Sequence, residues 1–144
     1  FRGVRRRMEL RGTARGVAVY DDFAHHPTAI RESIEGLRQR ARSGRIFAVF
    51  EPRSNTLKRG VLKEALPGSL SGADRVFVYS NGVAWDAQAL FAPLGGRASC
   101  EADLNALVAG IAGEAREGDH LHVMSNGGFG GIHEKLLDRL SARV

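Results

Sequence analysis

The chain holds one cysteine, Cys100, in 144 residues. A single thiol excludes an intrachain disulfide framework and fits a reducing compartment, so the cytoplasm is the expected location. No apolar run approaches the length of a membrane span, and the basic start carries no apolar signal-like core. Membrane contact is therefore not expected. Low-complexity segments, internal repeats and obvious linkers are also missing. So is G-x-x-x-x-G-K-[ST], the pattern in which a lysine follows a glycine loop around nucleotide phosphates.

What remains is one domain of common size, with enough chain to bury a sizeable core. Its composition, 43% hydrophobic and 26% charged, is that of a folded globular protein. The net charge is +5, carried mostly by arginine. Arg2, Arg5, Arg6, Arg7, Arg11 and Arg15 crowd the start of the chain. Such a cluster reads as a phosphate-binding edge or as a solvated surface. No helix carries a basic stripe, so a nucleic-acid partner is not expected and a small phosphorylated ligand is favoured.

Strand and helix patterns alternate. Two short strands are expected at 8–13 and 17–20, with Arg15 and Gly16 as a tight turn between them. From Pro27 the period becomes helical, with Ile30, Ile34 and Leu37 on one face and an end at Ser43-Gly44. The run Ile46-Phe47-Ala48-Val49-Phe50 reads as a strand buried on both faces, which implies a parallel sheet under helices. A helix through about Leu66, a strand at 76–79 and a short helix at 86–91 follow. A weak strand at 98–100 precedes a helix carrying Leu104, Leu107, Val108 and Ile111 inward. The last strand is expected at 120–124 and the last helix buries Ile132, Leu136, Leu137 and Leu140. Repeated strand–helix units give a three-layer α/β sandwich, mostly parallel, with one antiparallel edge strand from the N-terminal hairpin.

In such a sheet the loops at 21–26, 51–56, 80–86 and 125–131 share one rim, where open α/β sheets hold ligands. The first is the densest in chemistry. Asp21, Asp22, His25 and His26 stand just before Pro27. A carboxylate there can accept bonds from ribose hydroxyls, or it can cap the helix; His25 can orient a phosphate, or simply pack. Arg53 offers a bidentate clamp for an anion. Ser125, Asn126, Gly127 and Gly128 open a glycine-rich turn ahead of a helix N-terminus, resembling a backbone nest for a carboxylate or phosphate. His120 and His122 alternate on one strand face at a spacing that zinc can use. With no third ligand nearby, a structural or crevice-lining role is expected and no metal site is assigned.

Three blocks together, YDDFAHHPTAI at 20–30, FEPRSNTLKRG at 50–60 and VMSNGGFGGIHEKLL at 123–137, resemble the C-terminal domain of the Mur ligase family. The opening FRGVRRRMEL is similar to the start of that domain, and the resemblance covers essentially all of residues 1–144. It implies a Rossmann-like fold. The second and third blocks most resemble the branch that joins UDP-N-acetylmuramate to the murein tripeptide L-Ala-γ-D-Glu-meso-diaminopimelate in peptidoglycan recycling. The first block is shared with the L-alanine-adding branch, which remains the alternative. Another is a stand-alone α/β module that binds a phosphorylated ligand.

The resemblance further implies an ATP-dependent reaction through an acyl phosphate. ATP and Mg would be held mainly by a central domain, and UDP-N-acetylmuramate by an N-terminal one. Neither domain is expected in this chain, which looks like an excised part, with no ligase or ATPase activity alone. Its partners are those two domains and the two substrates. Position by position, Asp22 matches a family aspartate at the ATP ribose or the domain hinge, His25 a histidine at the closing interface beside the nucleotide, and Arg6 or Arg7 an arginine near the nucleotide. Ser125 matches a position near the carboxylate of the added amino acid, and Asn126, Gly127 and Gly128 extend that site. Arg53 is a candidate for a substrate carboxylate on chemistry. At Ala24 some relatives carry a lysine, whose role is absent from this sequence.

Overall fold

The computed structural model describes residues 8–41, 43–52 and 63–142. In chain order the elements are β1 (Glu9–Ala14), β2 (Val17–Asp22), α1 (Pro27–Arg40), β3 (Ile46–Phe50), α2 (Leu66–Leu70) and β4 (Arg75–Tyr79). Then follow α3 (Ala87–Phe91), β5 (Ala98–Glu101), α4 (Leu104–Glu114), β6 (His120–Met124) and α5 (Ile132–Ser141). The strands lie in the order β1-β2-β6-β3-β4-β5. Among the described residues only β1 runs antiparallel, paired to β2 as an edge hairpin, and the other pairs are parallel.

This order fixes where the helices go. From β2 through β3 and β4 to β5 the chain steps outward in one direction, and right-handed crossovers put α1, α2 and α3 on one face. The step from β5 back to β6 reverses direction, so α4 covers the other face, joined by α5. Two separate cores result. One gathers Val17, Val19, Phe47 and Val49 of the strands with Ile111 of α4 and Leu136 of α5. The other gathers Tyr20, Ala48, Phe50 and Met124 with Ile30, Ile34 and Leu37 of α1 and Leu70 of α2. All five residues of β3 are fully buried, as its unbroken apolar run requires.

Three details differ from the sequence reading. β2 continues to Asp22, because Asp21 and Asp22 pair in register with Val123 and Met124 of β6. The two carboxylates are thus strand residues and not loop residues. The cap of α1 is His26, whose side chain accepts from the Thr28 amide at 3.3 Å, and not Asp22. α1 stops at Arg40, short of Ser43-Gly44. The helix expected to end near Leu66 falls largely on residues 53–62, outside the described residues, and α2 is a separate short helix that begins at Leu66. Gly44 answers a different need. It has φ +91°, and a Cβ there would lie 2.0 Å from the Gly118 carbonyl oxygen.

Candidate functional site

Strand β2 ends in two adjacent carboxylates, and alternation sends them to opposite faces of the sheet. Asp22 faces α1. It is 2% exposed. Its Oδ2 lies 2.7 Å from His122 Nε2 of β6. The Ser33 hydroxyl of α1 donates to the same oxygen and sits 3.2 Å from His122 Nε2. The Ala24 amide donates to Oδ1 at 3.0 Å, folding the chain back just after the strand. Burial pushes this carboxyl up, but the His122, Ser33 and Ala24 donors together outweigh it and hold Asp22 below the usual aspartate range. An ionised Asp22 assigns the His122 proton to Nε2.

Asp21 faces α5 and is buried as well. Its Oδ1 lies 3.0 Å from His133 Nε2, and its Oδ2 lies 3.6 Å from Arg11 Nη1. Each carboxylate at the end of β2 is therefore met by a histidine from a different element.

The neighbouring strand ends are laced to this point. The Ser125 amide donates to the Asp22 carbonyl at 3.0 Å, and the Glu51 amide to the Met124 carbonyl at 3.1 Å. The Ser125 hydroxyl donates to Glu51 Oε1 at 2.5 Å and accepts from the Gly127 amide at 3.0 Å. Residues from the ends of β2, β6 and β3 are thus joined where the connections leave toward opposite faces. This is the place in an open sheet where a crevice opens.

The expected site residues divide as follows. Asp22 and Ser125 come together, both buried and both engaged with protein partners. Asn126 follows Ser125, and its Oδ1 is buried with no hydrogen-bond donor among the described residues. Gly127 and Gly128 line a polar cleft of about 400 Å³ with Asp21, His133 and Arg11. The other glycines of the turn have separate reasons. Gly130 (φ +59°) leaves no room for a Cβ, which would lie 2.6 Å from Leu104, and Gly131 (φ +73°) is the left-handed cap of α5. His25 is partly exposed on a second cleft of about 540 Å³, shared with Asp22, Phe23, Ala29 and Ser33. Its Nδ1 lies 3.0 Å from the Phe23 carbonyl oxygen, and the two rings meet edge to face at 5.3 Å. Arg6, Arg7 and Arg53 lie outside the described residues.

Sequence reasoning passed over Ser33, Glu51, His133 and Phe23. His133 stood inside a quoted block, and Phe23 inside another. Pairing them needs the strand order, which no local pattern carries. His120 and His122 have separate roles. His120 Nδ1 lies 3.2 Å from the Tyr20 hydroxyl, whereas His122 belongs to Asp22. Burial pushes the Cys100 thiol up, and nearby Asp86 adds to this, which disfavours the nucleophilic thiolate. Among the described residues no group of three or more His, Cys, Asp or Glu is placed to hold a metal ion, and no helix is long and apolar enough to cross a membrane.

Comparison with known proteins adds to this geometry. The glutamate ligase domain of Mur ligases matches residues 6–127. The chain is 48% identical over 146 aligned residues to the UDP-N-acetylmuramate–L-alanyl-γ-D-glutamyl-meso-2,6-diaminoheptandioate ligase of Escherichia coli K12. That alignment covers all of this chain and 32% of the relative, so the chain spans about a third of the length of such proteins. Among solved structures, the murein peptide ligase of Psychrobacter arcticus superposes with a TM-score of 0.86 at 37% identity, over 97% of this chain and 31% of that one. A separately crystallised domain, assigned to a ligase of the same substrates in Haemophilus ducreyi, gives 0.81 at 42% identity over 93% of this chain and 99% of that one.

Proposed function

Because the chain belongs to the Mur ligase family, with the glutamate ligase domain spanning most of its length, we propose that it is the C-terminal domain of an ATP-dependent amide ligase. The reaction joins UDP-N-acetylmuramate to the tripeptide L-Ala-γ-D-Glu-meso-diaminopimelate in the cytoplasm. Identity to a ligase named for that tripeptide, sustained across the whole chain, supports the substrate. The observation that carries the site is the lacing of Asp22, Ser125 and Glu51 across three adjacent strand ends.

ATP supplies the phosphoryl group that activates the muramate carboxylate, with Mg held by the central domain. The cleft beside α1 fits part of a nucleotide. Phe23 and Ala29 give it apolar surface, and His25 gives it an imidazole at the rim. Asp22 fits less directly as a ribose ligand, since both of its oxygens already accept protein bonds. Its role in this reading is to hold the turn that faces the nucleotide. Asn126, with the amides of Gly127 and Gly128, is the more available part of the peptide-carboxylate site. Ser125 braces that turn against Glu51. Arg6 or Arg7, by family resemblance, is the proposed nucleotide ligand, and Arg53, by its chemistry, the proposed ligand of a substrate carboxylate; all three lie outside the described residues. Closing this rim over the other domains would exclude water and orient the attacking amine.

Ligation by the full-length protein tests this reading. With ATP and UDP-N-acetylmuramate, the tripeptide should be the better acceptor, and the purified 144-residue chain should be inactive. Preference for free L-alanine would assign the chain to the alanine-adding branch. Ligation by the chain alone would refute its role as one part of a shared site.

A further inference from the structure

We propose that His122, together with Ser33, is a positioning residue that holds the nucleotide-facing turn through Asp22. This rests on the functional reading above and adds two residues to it. His122 is fully buried between Leu121 and Val123 in the middle of the sheet. A histidine in such a place costs stability unless its polar atoms are used. Only one is. Nε2 meets Asp22, while Nδ1 is buried with no hydrogen-bond partner among the described residues. An ordinary core histidine would satisfy both nitrogens. This one uses Nε2 alone, on the Asp22 carboxylate that shapes the rim and, at 3.2 Å, on the Ser33 hydroxyl.

The rest of the chain of contacts is local. His122 from β6 and Ser33 from α1 converge on Asp22 Oδ2, the last residue of β2. With Oδ2 held from two elements, Oδ1 is aimed at the Ala24 amide. That bond fixes the turn in which Phe23 stands 45% exposed beside the ring of His25. Phe23 and His25 line the larger cleft, and His122 does not. His122 therefore acts on the cleft through Asp22 and its partner Ser33.

Steady-state kinetics of the full-length ligase, with ATP, UDP-N-acetylmuramate and tripeptide each varied, tests the proposal. His122→Leu should raise KM for ATP about tenfold and leave KM for the tripeptide within about twofold. His122→Gln places an amide N–H near the position of the imidazole Nε2–H. It should restore KM for ATP to within about threefold of wild type. Ser33→Ala, a surface-proximal change, should raise KM for ATP by about threefold with the same selectivity. If His122→Leu does not fold, Ser33→Ala and His122→Gln decide. An unchanged KM for ATP in folded variants, or equal shifts for all three substrates, would overturn the proposal. A wild-type protein without ligase activity would count against the functional reading instead.

Discussion

The two ends of the sheet give their carboxylates different main partners. At the amino ends of the strands, arginines and carboxylates meet as ion pairs, with Asp119 buried and Asp74 and Glu114 partly exposed. Arg45 reaches Asp119 through Nε at 3.1 Å and Nη2 at 2.7 Å, and its guanidinium lies 4.8 Å from the Phe47 ring. Arg75 holds both oxygens of Glu114 at 2.7 Å and lies 4.4 Å from Phe77. Arg38 pairs with Asp74. At the carboxyl ends, Asp21, Asp22 and Glu51 are buried and meet histidines or a serine, and two clefts open beside them. The first rim uses permanent charges in fixed pairs, a design for holding loops together. The second buries three acids whose shortest contacts are to histidines and a serine, with Arg11 at 3.6 Å from Asp21, an arrangement that is costly for stability and characteristic of sites.

The largest effect should come from the amino end. Gly44→Ala drives a Cβ against a backbone carbonyl at a left-handed φ, and should cost about 4 kcal/mol or prevent folding, read from urea unfolding. Next is Asp22→Asn, which should cost about 2–3 kcal/mol at neutral pH. Its pH dependence has a definite sign. The folded Asp22 titrates below the unfolded value of about 4, so its contribution is fully present above that pH and is lost as pH falls through the lowered value. The gap between wild type and Asp22→Asn should therefore narrow below about pH 4.

Smaller still is Ser125→Ala, expected to cost about 1 kcal/mol and to weaken tripeptide binding by the full-length ligase. Smallest is Glu114→Gln. The Arg75 guanidinium holds Glu114 below the usual glutamate range, yet the carboxylate is 44% exposed. The change should cost under about 1 kcal/mol, less at high salt, and leave ligation unchanged. If Glu114→Gln impaired ligation as much as Ser125→Ala, the division of labour between the two ends would fail.

The amino-acid pattern carried the alternating elements, the edge hairpin and the shared rim, because periodicity and turn residues are local. The apolar run of β3 and the face of α1 marked by Ile30, Ile34 and Leu37 are examples. The pairing at the site was hidden because it depends on β6 inserting between β2 and β3. His122 and Asp22 are 100 residues apart, and only that insertion brings them to 2.7 Å. The glycine-rich turn was legible as a turn, but not the separate space requirement at Gly130, which packs against Leu104 while Gly127 and Gly128 face the cleft.

Amide chemical-shift mapping of the 144-residue chain tests the contrast between the ends most directly. The Haemophilus ducreyi domain shows that a relative of nearly the same extent crystallises on its own. ATP and the tripeptide, each added in turn, should shift the amides of Ala24, Gly127 and Gly128 and leave those of Gly44, Asp74 and Gly118 in place. Shifts concentrated at Gly44, Asp74 and Gly118 would contradict the assignment of the site to the carboxyl ends.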